Sequence, residues 1–182
     1  MLPVSKPTEA CGAGRGPPRS GVLDAAGCDT AGVAMTDLQA DVRLWIYEQV
    51  VAEGLAPGPL AIGRRFDLHP TEVERTLRTL QEHHDALVLL PGTSLIWMAE
   101  PFSAVPTSFR VRSGPDAWWG NCIWDALAVL ALLDRDGTVE TRCPGSGTDL
   151  TLTVAEGELV PADHVVHFAV AARDWWRSIG FT

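Results

Sequence analysis

From residue 37 to 53 apolar side chains recur every three or four positions, at Leu38, Val42, Trp45, Ile46 and Val50. This spacing predicts an amphipathic helix, and Thr36 ahead of it is a residue type suited to cap the N-terminus. Residues 54–59, with two glycines and two prolines, break the pattern. A short helix over 60–66 and a longer one over 70–83 follow. The longer helix turns Val73, Leu77 and Leu80 inward and holds Pro70 in the first turn, where a missing N–H costs nothing. Residues 86–90 and 95–99 read as two strands around the turn Pro91-Gly92-Thr93. Three helices followed by a small hairpin is a winged-helix pattern.

Residues 101–115 are bounded by prolines and read as a connector. The apolar run 126–133 predicts a buried helix, after which Asp134-Arg135-Asp136-Gly137 marks a turn. The pattern then changes to strands. Residues 138–142 and 149–154 are β-branched and bracket the glycine-rich turn Pro144-Gly145-Ser146-Gly147, and a third strand is expected over 164–171. Residues 173–177 turn, and 179–182 begin another apolar element. The expectation is an α+β protein with three parts: a tail over 1–34, a winged-helix-like module over 35–100, and a β-sheet core with one helix over 101–182. The tail is rich in Gly, Pro, Ser and Ala and predicts disorder.

Charge narrows the choice of partners. The 182 residues carry a formal net charge of −9, whereas nucleic-acid and anionic-membrane surfaces need clustered Lys and Arg. The helix that a winged-helix reader would place in a DNA groove carries Glu72, Glu74 and Glu82 against Arg75 and Arg78. It would repel phosphates as often as bind them, so no nucleic-acid partner is expected. No apolar run is long enough to span a membrane. Ala25-Ala26-Gly27-Cys28 has the outline of a cleavage site, but Arg15, Arg19 and Asp24 interrupt the apolar stretch that a signal peptide requires. The four cysteines, Cys11, Cys28, Cys122 and Cys143, are therefore expected to be reduced and the protein cytoplasmic.

Chemistry concentrates in Trp118-Trp119-Gly120-Asn121-Cys122-Ile123-Trp124-Asp125-Ala126-Leu127. Cys122 and Asp125 stand three residues apart at the start of the apolar helix, a spacing that shares one helix face. A thiol in a first helical turn meets unpaired N–H groups and the positive end of the helix dipole, which favour the thiolate. Burial among Trp118, Trp119 and Trp124 would raise the pKa of Asp125 while the helix terminus would lower it, so the net direction stays open. A soft sulfur beside a proton donor can hold a thiophilic metal and do acid chemistry on it. The same residues also fit a small buried hydrophobe and a first-turn carboxylate that stabilises the helix, and spacing does not choose between the two readings. Trp119 and Trp124 are candidates for an apolar pocket, or for core packing.

With these motifs the chain, from about residue 37 onward, resembles the alkylmercury lyase (organomercurial lyase) family. The resemblance implies that Cys122 grips the mercury of an R–Hg substrate and that Asp125 delivers the proton that cleaves the carbon–mercury bond, giving a hydrocarbon and Hg(II). Cys143, in Thr141-Arg142-Cys143-Pro144-Gly145-Ser146-Gly147, looks like the family's structural cysteine. The expected substrate is a small organomercurial, with no cofactor. Small thiols or a mercury-accepting protein would take the product away. The family also has a second mercury-gripping cysteine, expected just after a segment like residues 175–182, yet no Cys follows Cys143. Asp163 and His164 come too early in the order to replace it, and His167 reads as a packed or surface histidine on a strand. Either the protein has lost activity, or the recorded chain stops ahead of a last strand and helix. A selenocysteine codon read as a stop would give the second outcome, and selenium suits mercury. The alternatives are a non-catalytic binder of thiophilic metals and a winged-helix regulatory module.

Overall fold

Helix α1 (Asp37–Glu53) begins with a reciprocal cap: the Gln39 N–H donates to the Thr36 hydroxyl at 3.2 Å and the Thr36 N–H to the Gln39 side-chain carbonyl at 2.8 Å. It ends at Gly54, whose φ of 70° lies in the left-handed region that glycine adopts without strain. The computed structural model describes residues 34–182 apart from 85, 162, 169, 178 and 180–182. All but the last residue of the expected N-terminal tail, with Cys11 and Cys28, and the end of the apolar element expected from 179 lie outside the described residues. Helices α2 (Pro59–Phe66) and α3 (Pro70–His84) follow α1. Their inward residues Ile62, Val73, Leu77 and Leu80 meet Val42, Ile46 and Val50 of α1 in one apolar cluster.

Strands β1 (Val88–Leu89), β2 (Ile96–Ala99) and β3 (Phe102–Ser103) form a small antiparallel sheet in that order. A second antiparallel sheet has the order β5-β4-β6-β7-β8, built from β4 (Arg110–Ser113), β5 (Asp116–Trp119), β6 (Gly137–Arg142), β7 (Asp149–Ala155) and β8 (Glu158–Leu159). Helix α4 (Ile123–Leu132) packs Ala126, Val129 and Leu130 into the core that also holds Val111, Trp118, Val139, Leu152 and Val154. The mixed helix-and-sheet class is as expected. Among the described residues no helix is long and apolar enough to cross a membrane.

Two expectations are corrected. Residues 101–115 are not a connector: β3 and β4 lie within them, and β4 pairs with both β5 and β6. Prolines flank these strands without entering them, so no ladder hydrogen bond is lost. The third strand expected over 164–171 is absent: 164–168 are without regular structure, and Val165 is 93% exposed. β-branched residues form a strand only against a partner, and the outer side of β7 is already taken by β8. Past that segment the chain makes a 3-10 turn over Ala172–Arg177.

Two side chains tie the helices to the sheets. The Trp118 indole N–H donates to the Val51 carbonyl at 3.0 Å, and burying that ring contributes roughly 1.5–3 kcal/mol. Tyr47 of α1 shares its O–H between the carbonyls of Ala86, at 3.1 Å, and Glu100, at 2.9 Å.

Candidate functional site

Strand β5 delivers the chain to Gly120, where three neighbours clamp it. The Gly120 N–H donates to the Phe109 carbonyl at 3.0 Å. The Thr107 hydroxyl donates to the Gly120 carbonyl at 2.6 Å, and Phe102 bridges to it as an isolated antiparallel pair. A Cβ at residue 120 would sit 2.6 Å from the Ala126 nitrogen and 2.8 Å from its Cβ. Only glycine lets the strand end lie this close to the first turn of α4.

The next two residues carry chemistry. Asn121 donates from Nδ2 to the Pro101 carbonyl at 3.5 Å, while its buried Oδ1 has no hydrogen-bond partner. Cys122 is the N-cap of α4, with extended backbone (φ −140°, ψ −177°), and its sulfur accepts the Asp125 N–H at 3.5 Å. A thiol thus fills the place usually taken by Ser, Thr or Asp.

This placement corrects the expectation of a thiolate. Burial pushes the Cys122 thiol up to about 11; the neighbouring Asp125 carboxylate adds to the rise, and the Asp125 and Trp124 N–H groups only partly oppose it. The helix terminus loses because desolvation and a like charge both favour the neutral thiol. The direction left open for Asp125 also resolves upward. Burial raises its carboxyl, against hydrogen bonds from the Cys122 thiol, the Asn121 amide and the Cys122 N–H. The pair is a neutral thiol hydrogen-bonded to a carboxyl whose affinity for a proton is raised.

Both open onto a cavity of about 190 Å³. Its polar side is Asn121, Cys122, Asp125 and Glu100; its apolar side is Met98, Trp124, Phe168, Trp175 and Ile179. Phe168 and Trp175 pack with ring centroids 5.1 Å apart, and the Trp175 indole donates to the Val170 carbonyl at 2.9 Å. Of the two tryptophans expected to form an apolar pocket, Trp124 lines the cavity and is 63% exposed. Trp119 does not: it lies under the Arg110 guanidinium, 5.1 Å from the ring centroid, beside a different surface groove.

Cys143 stands apart from this cavity, at the turn between β6 and β7, where its carbonyl accepts the Gly147 N–H at 2.8 Å. Hydrogen bonds from the Ser146 hydroxyl and from the Ser146 and Gly145 N–H groups lower the pKa of its thiol. Asp163, His164 and His167 are exposed; His167 borders a neighbouring apolar recess rather than a strand. Among the described residues no three His, Cys, Asp or Glu side chains group to hold a resident metal ion. Sequence reasoning missed Glu100, Phe168 and Trp175. The Trp175-Trp176 pair downstream of Phe168 was a usable aromatic signal, and nothing local marked Glu100.

Residues 102–182 match the family model for alkylmercury lyase. Among solved structures, the mercury-bound form of MerB2 matches with a TM-score of 0.54 at 18% sequence identity, covering 70% of this chain. The chain spans 60% of the length of that structure, and the likeness is one of fold. No curated protein matches the sequence.

Proposed function

Residues 102–182 carry an alkylmercury lyase family domain, and from that premise we propose that the protein cleaves carbon–mercury bonds of small organomercurials by protonolysis at Cys122 and Asp125. The observation that carries this reading is the hydrogen-bonded thiol–carboxyl pair opening onto a cavity with an apolar wall.

In the proposed reaction the substrate is R–Hg–X. As the Cys122 sulfur bonds to mercury, its proton passes to the Asp125 carboxylate and X leaves as an anion. A soft metal suits a soft sulfur, which compensates for the high thiol pKa. Asp125, now a carboxylic acid held beside the metal-bound carbon, gives that proton to carbon. The electron pair of the Hg–C bond takes it up, R–H departs, and Hg(II) stays on Cys122. Proximity replaces a bimolecular proton transfer, and burial, which raises the affinity of the Asp125 carboxyl for a proton, suits it to take the proton from the thiol and pass it to carbon. Among the described residues Cys122 is the one cysteine lining the cavity, so a small external thiol, or a mercury-accepting protein, supplies the second sulfur and removes Hg(II). That requirement fits a reducing, cytoplasmic setting. We read residues 101–182 as the lyase-like core and 35–100 as a winged-helix-like module that builds one wall of the site through Met98 and Glu100.

The test is release of benzene from phenylmercuric acetate in the presence of a small thiol, followed by gas chromatography. Thiol-dependent turnover that disappears in Cys122→Ser supports the reading. Stoichiometric mercury retention with no benzene would favour the non-catalytic binder, a reading that the single cavity thiol keeps in view.

A further inference from the structure

The cavity lined by Cys122 and Asp125 does not end at its aromatic wall. Trp124, Phe168 and Trp175 line both this cavity, of about 190 Å³, and a second recess of about 590 Å³ whose other apolar walls are Val166, Val170 and Ala171. His167 is the one titratable side chain among the described residues lining the recess. Trp124 is 63% exposed and Val166 50%, so apolar surface stands in water beside a site whose proposed substrate carries an apolar group. Trp124 also joins the recess to the reactive sulfur: its N–H donates to Cys122, and it lines the same cavity as that cysteine. Volume then decides how much of a substrate the cavity holds. A void of about 150 Å³ is filled by benzene, and the 190 Å³ here must take mercury as well as a ring. A second ring has to pass the three shared aromatic side chains into the recess.

We propose that Trp124 is a specificity-determining residue, the shared wall through which the site prefers organomercurials with an extended apolar organic group, such as a fused aryl, over those with a single ring. The inference rests on the organomercurial reading and names the substrate class within it. A second ring that leaves water for the recess removes apolar surface on both partners from solvent, and burying it is worth about tenfold in affinity. A methyl group reaches none of the recess and gains least.

The experiment measures which organomercurials Cys122 holds, without carbon–mercury cleavage. In the full chain, Cys11→Ser, Cys28→Ser and Cys143→Ser leave one thiol, and Asp125→Asn removes the proton donor. Intact-protein mass spectrometry reads the partition of methyl-, phenyl- and 2-naphthylmercury between Cys122 and excess glutathione, a competition that cancels differences in the mercury–sulfur bond itself. The expected constants rise in that order, with 2-naphthyl above phenyl by about tenfold. Trp124→Ala brings the two aryl groups to within about twofold of each other. Val166→Asp, which alters the recess and not the cavity, lowers the 2-naphthyl constant by about tenfold and leaves phenyl within about twofold. Both side chains are at least half exposed, so neither substitution disturbs the core. Equal constants for the two aryl groups leave the recess to a protein partner and overturn the proposal, as does a naphthyl preference that survives either substitution. Absence of hydrocarbon release from the wild type sinks the lyase reading alone, because the partition constants do not involve cleavage.

Discussion

Cys122 and Cys143 are built alike and placed differently. Each sulfur accepts hydrogen bonds from backbone N–H groups just ahead in the chain, Asp125 and Trp124 for one, Gly145 and Ser146 for the other. Yet Cys122 is pushed up to about 11 and Cys143 is lowered from 9.0. The local motif is therefore not what decides thiol acidity. Desolvation and the carboxyl of Asp125 outweigh the N–H donors at the cavity, while at the turn the Ser146 hydroxyl and the N–H donors outweigh desolvation. The sulfur that is easier to ionise lies away from the cavity, and the one inside it is neutral and paired with an acid. That arrangement suits a sulfur that must give up a proton to a specific partner at the moment it binds metal, rather than a general nucleophile.

The largest test of this contrast exchanges the two residues' importance. Cys122→Ser and Asp125→Asn should each lower benzene release from phenylmercuric acetate by on the order of 10²–10⁴-fold, and Cys143→Ser should leave it within a few-fold. Equal losses from both cysteine variants would erase the distinction. Next in size is alkylation by iodoacetamide at pH 8, read for each cysteine by peptide mass spectrometry. A thiol at about 11 is roughly 0.1% thiolate there and one below 9.0 is about a tenth or more, so Cys143 should react on the order of 100-fold faster. The Cys122 rate should keep climbing with pH toward about 11, after the Cys143 rate has levelled.

What was readable from sequence follows the same division between local and long-range causes. Helix α1 was legible to its ends, because its period, the Thr36 cap and the Gly54 stop are all local. The Cys122–Asp125 pair was legible for the same reason, although not its protonation, which depends on burial. Strand β4 was hidden because only Val111 of its four residues turns fully inward, too short a stretch for alternation to register. The strand expected over 164–171 failed for the opposite reason: its composition suited a strand, but pairing requires an edge that composition does not report. The cavity's other walls come from residues 98–100 and 168–179, distant stretches of chain that meet only through packing. Trp119 was misplaced because β-alternation sends Trp118 into the core and Trp119 to the opposite face.

Two smaller effects sharpen the contrast between the clamped loop and the open turn. Gly120→Ala forces a methyl to within 3 Å of Ala126, so it should destabilise the fold by about 1–3 kcal/mol in urea denaturation and disturb Cys122. Gly145→Ala meets only the Cys143 sulfur at 3.9 Å and should change stability by less than about 0.5 kcal/mol. Similar losses from the two would mean that the approach of β5 to α4 is not tight.

The smallest effect is the dependence of stability on pH, and its sign differs between the cysteines. A thiol raised on folding contributes stability that is complete below the unfolded value near 9.0 and is lost as pH rises through about 11. Over that interval the wild type should weaken relative to Cys122→Ala. A thiol lowered on folding contributes stability that is present above the unfolded value and lost as pH falls through its lower folded value. Wild type should therefore gain on Cys143→Ala as pH rises toward 9.0. Denaturation midpoints of the three proteins from pH 7 to 11 check both slopes, and parallel curves would show that burial does not set the two thiols apart.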